Sequence, residues 1–537
     1  MLRSEFSGYN GSRLIKDLLA GLTVAAVALP LALAFGVASG ASAASGLITA
    51  IIAGIVISAL SGASFQISGP TGAMSAVLIT IATTVGLNGV FMVCFIAGIL
   101  LLICGIFKLG KLVNLIPRPV ITGFTSGIAV IIALGQVDNF FGTVSEGESA
   151  IDKLISYGTL GFKPHFWTVM LGLIVVAIMI IWPKKWNAKV PSSLIGIIVA
   201  TAVYVIFRFD GVATVGEIPK TLFLPERLSF SGVSLDTLKT LASPALTVAA
   251  LGMIESLLCG ASASRMKNEP FDANIELVGQ GIGNILMPFF GGVPATAAIA
   301  RTSVAIKSGA QTRLTGIFHA LWLVAAMFLL GGVMALVPMP ALAGVLLVTA
   351  WRMNEWHAIK YIFKKKFIGA ILQFLITMIA TVVFDLTIAI IIGIVFSLMV
   401  FIKNAAHLEV ASAEVSEERL AARGPLGEGH DNSVVVYVTG DVFFANIGKL
   451  TSKLSELTQH DEIIVSLRGV PDIDITSVET LGEFASEFAK DGKRIVFCGM
   501  NDTVSKVFDK SGILEGEHGA TVFATIDKAL IASVVEE

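Results

Sequence analysis

Residues Ser68–Ala76 read SGPTGAMSA, and residues Gly291–Ser303 read GGVPATAAIARTS. Each stretch lies inside a run of apolar sequence long enough to enter a membrane, yet neither can continue as one helix. Gly69, Pro70 and Gly72 interrupt the first, and Gly291, Gly292 and Pro294 interrupt the second. Glycine gives up helix stability, and proline lacks the amide a helix interior needs. Broken backbone at membrane depth survives only where protein buries it or it lines an aqueous cavity. A matched pair of breaks, one in each half of a chain, points to the substrate site of a secondary transporter.

The composition around these breaks is that of a membrane protein. The 537 residues are 55% hydrophobic and 14% charged, with mean hydropathy +0.84. That balance excludes an ordinary soluble protein and indicates a polytopic helical one. The net charge of −2 and the lack of a separate basic region give no sign of a nucleic-acid partner. Cys94, Cys104, Cys259 and Cys498 stand singly and are expected to be packing residues rather than metal ligands or disulfides. The polar amino terminus shows no cleavable signal pattern, so insertion through the first span is expected.

Apolar runs of about 20 residues, some visibly shorter, divide residues 1–404 into about fourteen spans. The third is expected over 69–85, the eighth over 242–263 and the tenth over 294–308. Cationic loops follow the even-numbered spans: Lys108, Lys111 and Arg118; Lys184, Lys185 and Lys189; Arg265 and Lys267; Arg313; and Lys360, Lys364, Lys365 and Lys366. The positive-inside rule makes these loops cytoplasmic, together with both termini. The opposite loops, 138–164 and 209–240, are mixed in sign.

An internal repeat supports this count. FKLGKLVNLIPRPVITG (Phe107–Gly123) aligns without a gap on FLLGGVMALVPMPALAG (Phe328–Gly344), at an offset of 221 residues. The two share Phe107/Phe328, Leu109/Leu330, Gly110/Gly331, Leu115/Leu336, Pro117/Pro338, Pro119/Pro340 and Gly123/Gly344. Seven spans lie between the copies. An odd number reverses their orientation, which gives a seven-plus-seven inverted repeat.

Beyond the spans the character changes. Residues 405–432 read as a charged connector, and 433–537 as a cytoplasmic α/β domain. There SVVVYVTG, EIIVSLRG and RIVFCGM are buried strands followed by helical patterns.

Two charges stand out within the spans. Glu255 sits in the otherwise apolar GMIESLLCG, where a carboxylate costs at least ~2.5 kcal/mol and must face a cavity or a partner. It is either a structural hydrogen-bonding group or a site that loads and unloads a coupling ion or proton. Arg301 lies one short turn into the broken tenth span, beside unpaired helix amides that attract anions. It either strengthens that field, pairs with Glu255, or snorkels to an interface. Pro30 is expected to kink the first span and leave Phe35 beside the same cavity. Asp272, Glu276 and Asp385 read as structural residues near span ends. No Walker, HExxH or nucleophile-elbow pattern is present, so enzymatic chemistry is not expected.

The motifs DLLAGLTVAAVALPLALAFGVASG, FQISGPTGAMSAV, IESLLC, ELVGQGIGNILMPFFGG and ATAAIARTS followed by SGAQTRLTGI resemble the SulP sulfate-permease family, bacterial relatives of pendrin and prestin. The carboxy-terminal unit resembles a sulfate-transporter and anti-sigma-factor-antagonist (STAS) domain. The resemblance implies core and gate domains, elevator-like movement, a homodimer in the bacterial inner membrane, and a cytoplasmic partner as one role for the STAS domain. It places a small inorganic or organic anion between the third and tenth helix starts, beside first-span side chains. Here those positions are Leu31, Phe35, Thr71, Gly72, Ile299, Ala300 and Arg301. It implies no cofactor and no metal.

The first span is similar to that of sodium-coupled bicarbonate transporters, which differ at Glu255, Cys259 and Arg301. Spans eight to ten are closer to proton-coupled carriers of C4-dicarboxylates. Leu31 replaces a glutamine found in many sulfate permeases. The expected activity is therefore proton-coupled transport of sulfate or a C4-dicarboxylate, with Glu255 coupling. Sodium-coupled bicarbonate symport is the alternative, and an anion channel or sensor is the reading from another class. Asp474, Thr476 and Ser477 fall where anti-sigma antagonists carry a phosphorylated serine, although a helix cap explains Asp474 or Thr476 equally well.

Overall fold

The computed structural model describes residues 5–111, 117–147, 150–183, 186, 190–231, 235–384, 386–415, 430, 432–513 and 520–532. Leu115, Lys184, Lys185, Lys189 and Asp385 lie outside the described residues. Contacts divide the chain into two units, Met1–Val395 and Phe396–Glu537.

A helix occupies each of the fourteen expected spans. They are α1 (Gly11–Ala38), α2 (Ala43–Leu60), α3 (Gly72–Thr84), α4 (Leu87–Ile106), α5 (Arg118–Gly135), α6 (Phe166–Ile181), α7 (Ser192–Phe207), α8 (Leu235–Lys267), α9 (Ala273–Leu286), α10 (Ile299–Lys307), α11 (Leu314–Met334), α12 (Met339–Met353), α13 (Ile368–Val383) and α14 (Leu386–Ala405). Among the described residues six of these, α1, α2, α4, α5, α8 and α11, are long and apolar enough to cross a bilayer unaided. Of the others α14 has 20 residues and the rest are shorter; α3 and α10, at 13 and 9 residues, are half-helices. Pro30 lies inside α1 without ending it.

The helices fall into two packed groups. In one group α1 packs on α2 and α11, and α4 packs on α8 and α9. In the other α5 packs on α13, and α6 packs on α7 and α12. The repeat is visible in backbone geometry. Pro117 caps α5 at φ −65°, ψ 142°, and Pro338 caps α12 at φ −69°, ψ 138°. Proline entering a helix start loses no bond, because the first amides have no intrahelical acceptor.

The two broken stretches meet as a two-stranded antiparallel ladder. β1 (Ser68–Gly69) pairs with β2 (Thr296–Ala297) in the register Ser68 to Ala297 and Gly69 to Thr296. Side chains replace the rest of a sheet. The Asn284 amide on α9 accepts from Ala295 N at 2.9 Å and donates to Ala295 O at 3.0 Å, and Thr49 on α2 accepts from Val293 N at 2.7 Å. Irregular backbone at this depth is thereby satisfied, as hydrocarbon requires.

The second unit is a five-stranded sheet in the order β3 (Glu409–Glu414), β4 (Ser433–Thr439), β5 (Glu462–Gly469), β6 (Arg494–Cys498) and β7 (Ala520–Phe523). β4 to β7 are parallel, connected through helices that include α15 (Ile447–Ser455), α16 (Ile475–Lys490) and α17 (Asp502–Ser511). β3 corrects the reading of 405–432 as connector throughout, since it runs antiparallel along β4 with Val410 opposite Val438. Its glutamates and exposed faces suit an edge, where charge discourages further pairing.

Candidate functional site

The ladder delivers the starts of α3 and α10 to one place. Thr71 precedes α3 and Ala298 precedes α10, and neither provides a side-chain cap. Two sets of first-turn amides therefore converge uncapped, and each helix end carries roughly half a positive charge.

Arg301, the third residue of α10, is only 1% exposed. Its Nη2 donates to Pro70 O at 3.0 Å, while its Nη1 has no hydrogen-bond partner. The side chain thus crosses from one half of the repeat to the other; it neither snorkels nor forms an ion pair with Glu255. Gly69 leaves room for it: a Cβ there would stand 2.5 Å from Nη1 and the guanidinium would have to shift. A buried guanidinium with one free edge is a donor awaiting an acceptor.

Glu255 is partly buried on α8 and accepts from the Thr71 hydroxyl at 3.0 Å. One face of α8 serves both halves of the site. The Ser256 hydroxyl lies 2.8 Å from that of Thr296, and the Cys259 thiol donates to Thr302 at 3.3 Å. Thr302 in turn accepts from Ile67 N at 3.0 Å. The i, i+1, i+4 spacing of Glu255, Ser256 and Cys259 makes α8 a spine touching β2, α3 and α10.

Phe35 is buried, and its ring lies against Gly72, where an added Cβ would be 3.2 Å from Cε1. The same Cβ would meet Ile132 Cδ1 on α5 at 2.4 Å and Met353 Sδ on α12 at 3.3 Å. Ile132 and Met353 are 221 residues apart, the offset of the repeat, so the two inverted copies contribute equivalent side chains over Gly72. Ile132 also lines a cavity of about 550 Å³ with Ser75, Thr80, Gln136, Asn139 and Thr247. Leu31 is partly buried against the apolar core, while Ile299 and Ala300 are exposed on the first turn of α10. The structure therefore brings Phe35, Thr71, Gly72, Glu255 and Arg301 close to the paired breaks, and leaves Leu31 without a polar contact.

Residues read as structural behave so. Asp272 caps α9 by accepting from Asn274 N at 2.9 Å and Ile275 N at 3.1 Å. Glu276, fully buried, accepts from Gly62 N at 3.1 Å and from Ser61 and Gln280. Sequence reasoning passed over Asp17. It is completely buried and accepts from Tyr9, Gln311, Thr312 and Thr315, which fixes the start of α1 to the turn before α11. Burial, with the hydrogen bond to Asp17 and its charge, pushes the Tyr9 hydroxyl up to about 12. In the second unit Asp474 is the cap of α16, accepting from Ser477 N at 2.8 Å, and Ser477 is fully buried.

Half-helices opposed across a two-stranded ladder, within a two-group helical bundle, define a multi-pass membrane transporter. The comparisons with known proteins say which. The profile described as the Sulfate permease family matches residues 14–380, and that described as the STAS domain matches residues 425–529. This chain belongs to the sulfate permease family and carries a STAS domain.

YvdB of Bacillus subtilis, provisionally named a sulfate transporter, is 34% identical over 522 residues, covering 95% of this chain and 96% of its own. The bicarbonate transporter BicA of a Picosynechococcus strain is 30% identical over 500 residues, covering 90% of this chain and 88% of its own. The solved transmembrane domain of a cyanobacterium BicA is 30% identical, with a TM-score of 0.66 over 72% of this chain and 98% of that one. Murine solute carrier 26 family member A9, in its inward-facing state, shares the fold at a TM-score of 0.83 over 98% of this chain and 93% of that one, with 17% identity.

Proposed function

We propose that this protein is a proton-coupled secondary transporter of a small anion, sulfate or a C4-dicarboxylate. It works by elevator-like movement of the α1–α4 and α8–α11 group against the other. The observation that carries the reading is Arg301: a buried guanidinium whose Nη1 is free, set where two uncapped helix starts converge. That arrangement selects negative charge. Phe35, Thr71, Gly72, Ile299 and Ala300 surround the bound anion, with Leu31 behind Phe35 on α1. Glu255, one hydrogen bond from the start of α3, carries the coupling proton.

The cationic loops support a reading in which both termini are cytoplasmic, and the protein is read as a homodimer of the bacterial inner membrane. The test is flux into proteoliposomes holding the purified protein. Uphill uptake of sulfate or succinate driven by an inward proton gradient, indifferent to sodium, is expected. A second reading, sodium-coupled bicarbonate symport, is favoured by the 30% identity to BicA over 90% of this chain; a strict sodium requirement would select it. Passive conductance without accumulation would mean a channel, and neither flux nor conductance a sensor.

A further inference from the structure

The connection from α12 to α13 is a helix of its own, Trp356–Lys364, and none of its residues is buried. In its sequence, WHAIKYIFK, His357, Lys360 and Lys364 form one stripe at helical spacing, and Trp356, Ile359 and Phe363 form the stripe beside it. The apolar side is only half covered. The Phe363 ring meets Phe374 of α13 edge-on at 5.9 Å, yet Phe363 remains 42% exposed, Trp356 37% and Phe367 50%.

On the polar side the chain adds charge rather than neutralising it. Lys365 follows, and Lys366 takes a left-handed turn at φ 55° that closes the helix end, with Phe367 N bonded to Ile362 O at 3.2 Å. Lys360, Lys364, Lys365 and Lys366 are all exposed, and none forms an ion pair among the described residues. Glu355, just before the helix, accepts from Thr122 of α5 at 3.2 Å.

We propose that this helix is a docking surface for anionic phospholipid, with the headgroup phosphate held by Lys360, Lys364, Lys365 and Lys366 and the acyl chains lying against Trp356, Phe363 and Phe367. Two features select a bilayer lipid over a soluble polyanion. The cations are contiguous with exposed aromatic rings, and the helix joins two membrane spans, which fixes it at the headgroup level. The unpaired charge selects an anionic lipid over a zwitterionic one.

The position gives the contact a consequence. The helix follows α12 after a two-residue break at Asn354 and Glu355; Met353 of α12 lies over Gly72, and Glu355 ties the helix to α5. Headgroups bound here hold the two helices against which the anion site moves.

The binding itself is tested without reference to transport. The full chain is reconstituted in phosphatidylcholine alone or in a three-to-one mixture with phosphatidylglycerol, with brominated acyl chains on one lipid at a time. Quenching of Trp351 and Trp356 reports which lipid adjoins the helix, and the W351F/W356F variant supplies the blank. Brominated phosphatidylglycerol should quench more strongly than its mole fraction predicts. Each lysine near an anionic surface is worth about five-fold in partitioning. Changing all four lysines to glutamine should therefore cost about ten-fold or more of that preference, and high salt should weaken it. Equal quenching by both lipids, or a preference that survives in the glutamine variant, overturns the proposal. So does loss of the preference on adding water-soluble glycerol phosphate, which would make the lysines a site for a free anion.

Discussion

Replacing Arg301 with alanine tests the anion site most directly. In the native protein the guanidinium is 1% exposed, with Nη2 bonded to Pro70 O at 3.0 Å and Nη1 free. A hydrogen bond to a charged group is worth about 1.5–3 kcal/mol, so losing the free donor should weaken anion binding by about ten- to more than a hundred-fold. The same change leaves the Pro70 carbonyl without its donor, a cost to stability of about 1–3 kcal/mol that must be measured separately. Titration calorimetry with sulfate and with succinate on the purified full chain gives the first quantity, and thermal unfolding without ligand gives the second.

Two companion variants separate charge from geometry. Arg301→Lys keeps the charge but loses the fork, and should bind with intermediate affinity. Gly69→Ala keeps the arginine but places a methyl 2.5 Å from Nη1, so it should displace the guanidinium and weaken binding less than Arg301→Ala. Wild-type affinity for both anions in a folded Arg301→Ala protein would refute the role given to this side chain.

Glu255→Gln, which keeps the size and the Thr71 contact but cannot release a proton, should abolish accumulation driven by a pH gradient while sparing anion exchange; uphill uptake by the variant would remove Glu255 from coupling. Gly72→Ala must displace Ile132, Phe35 or Met353, and should cost about 1–3 kcal/mol in thermal unfolding together with transport rate. Thiols introduced between 138 and 164, but not after residue 430, should react with an impermeant reagent added to intact cells, and labelling of both would contradict the inverted repeat. In the STAS domain burial works to raise the Asp474 carboxyl, but hydrogen bonds from Ser477 and Phe444 outweigh it and hold the group below its usual range. Its contribution is therefore complete above the unfolded value of about 4 and disappears as pH falls through the lower folded value. Asp474→Ala should cost about 1 kcal/mol at neutral pH, read by hydrogen exchange in α16, and the difference from wild type should close in acid.

The breaks were legible because glycine and proline cluster there, unlike the single Pro30 that α1 absorbs, and the repeat because Pro-x-Pro before a helix is a local backbone signal. What joins the breaks was not. Pairing Ser68 with Ala297 depends on two segments far apart in the chain, and neither is long enough to show a strand's alternation. Asp17 was missed for a similar reason, since its donors lie near residue 312 and nothing beside it in sequence marks it as buried. The edge strand Glu409–Glu414 was hidden by its own glutamates, which resemble a solvated connector until β4 is placed alongside. Arg301 and Glu255 were found because charge is conspicuous among apolar residues, but that Arg301 bonds the opposite repeat rather than Glu255 needed coordinates.

The unequal half-helices have an electrical consequence. At about 1.5 Å per residue, α3 and α10 extend about 20 Å and about 14 Å from their meeting point, together close to the ~30 Å of hydrocarbon. An anion held there lies well inside the membrane's voltage drop, roughly two-fifths of the way from one face. One charge crossing the whole drop is worth ~2.3 kcal/mol per 100 mV, so a monovalent anion reaching this depth feels about 0.9 kcal/mol, or about five-fold in occupancy. A divalent anion feels twice that energy. Cells that hold their interior negative would thus load the site more readily from inside than from outside, unless a cation travels with the anion.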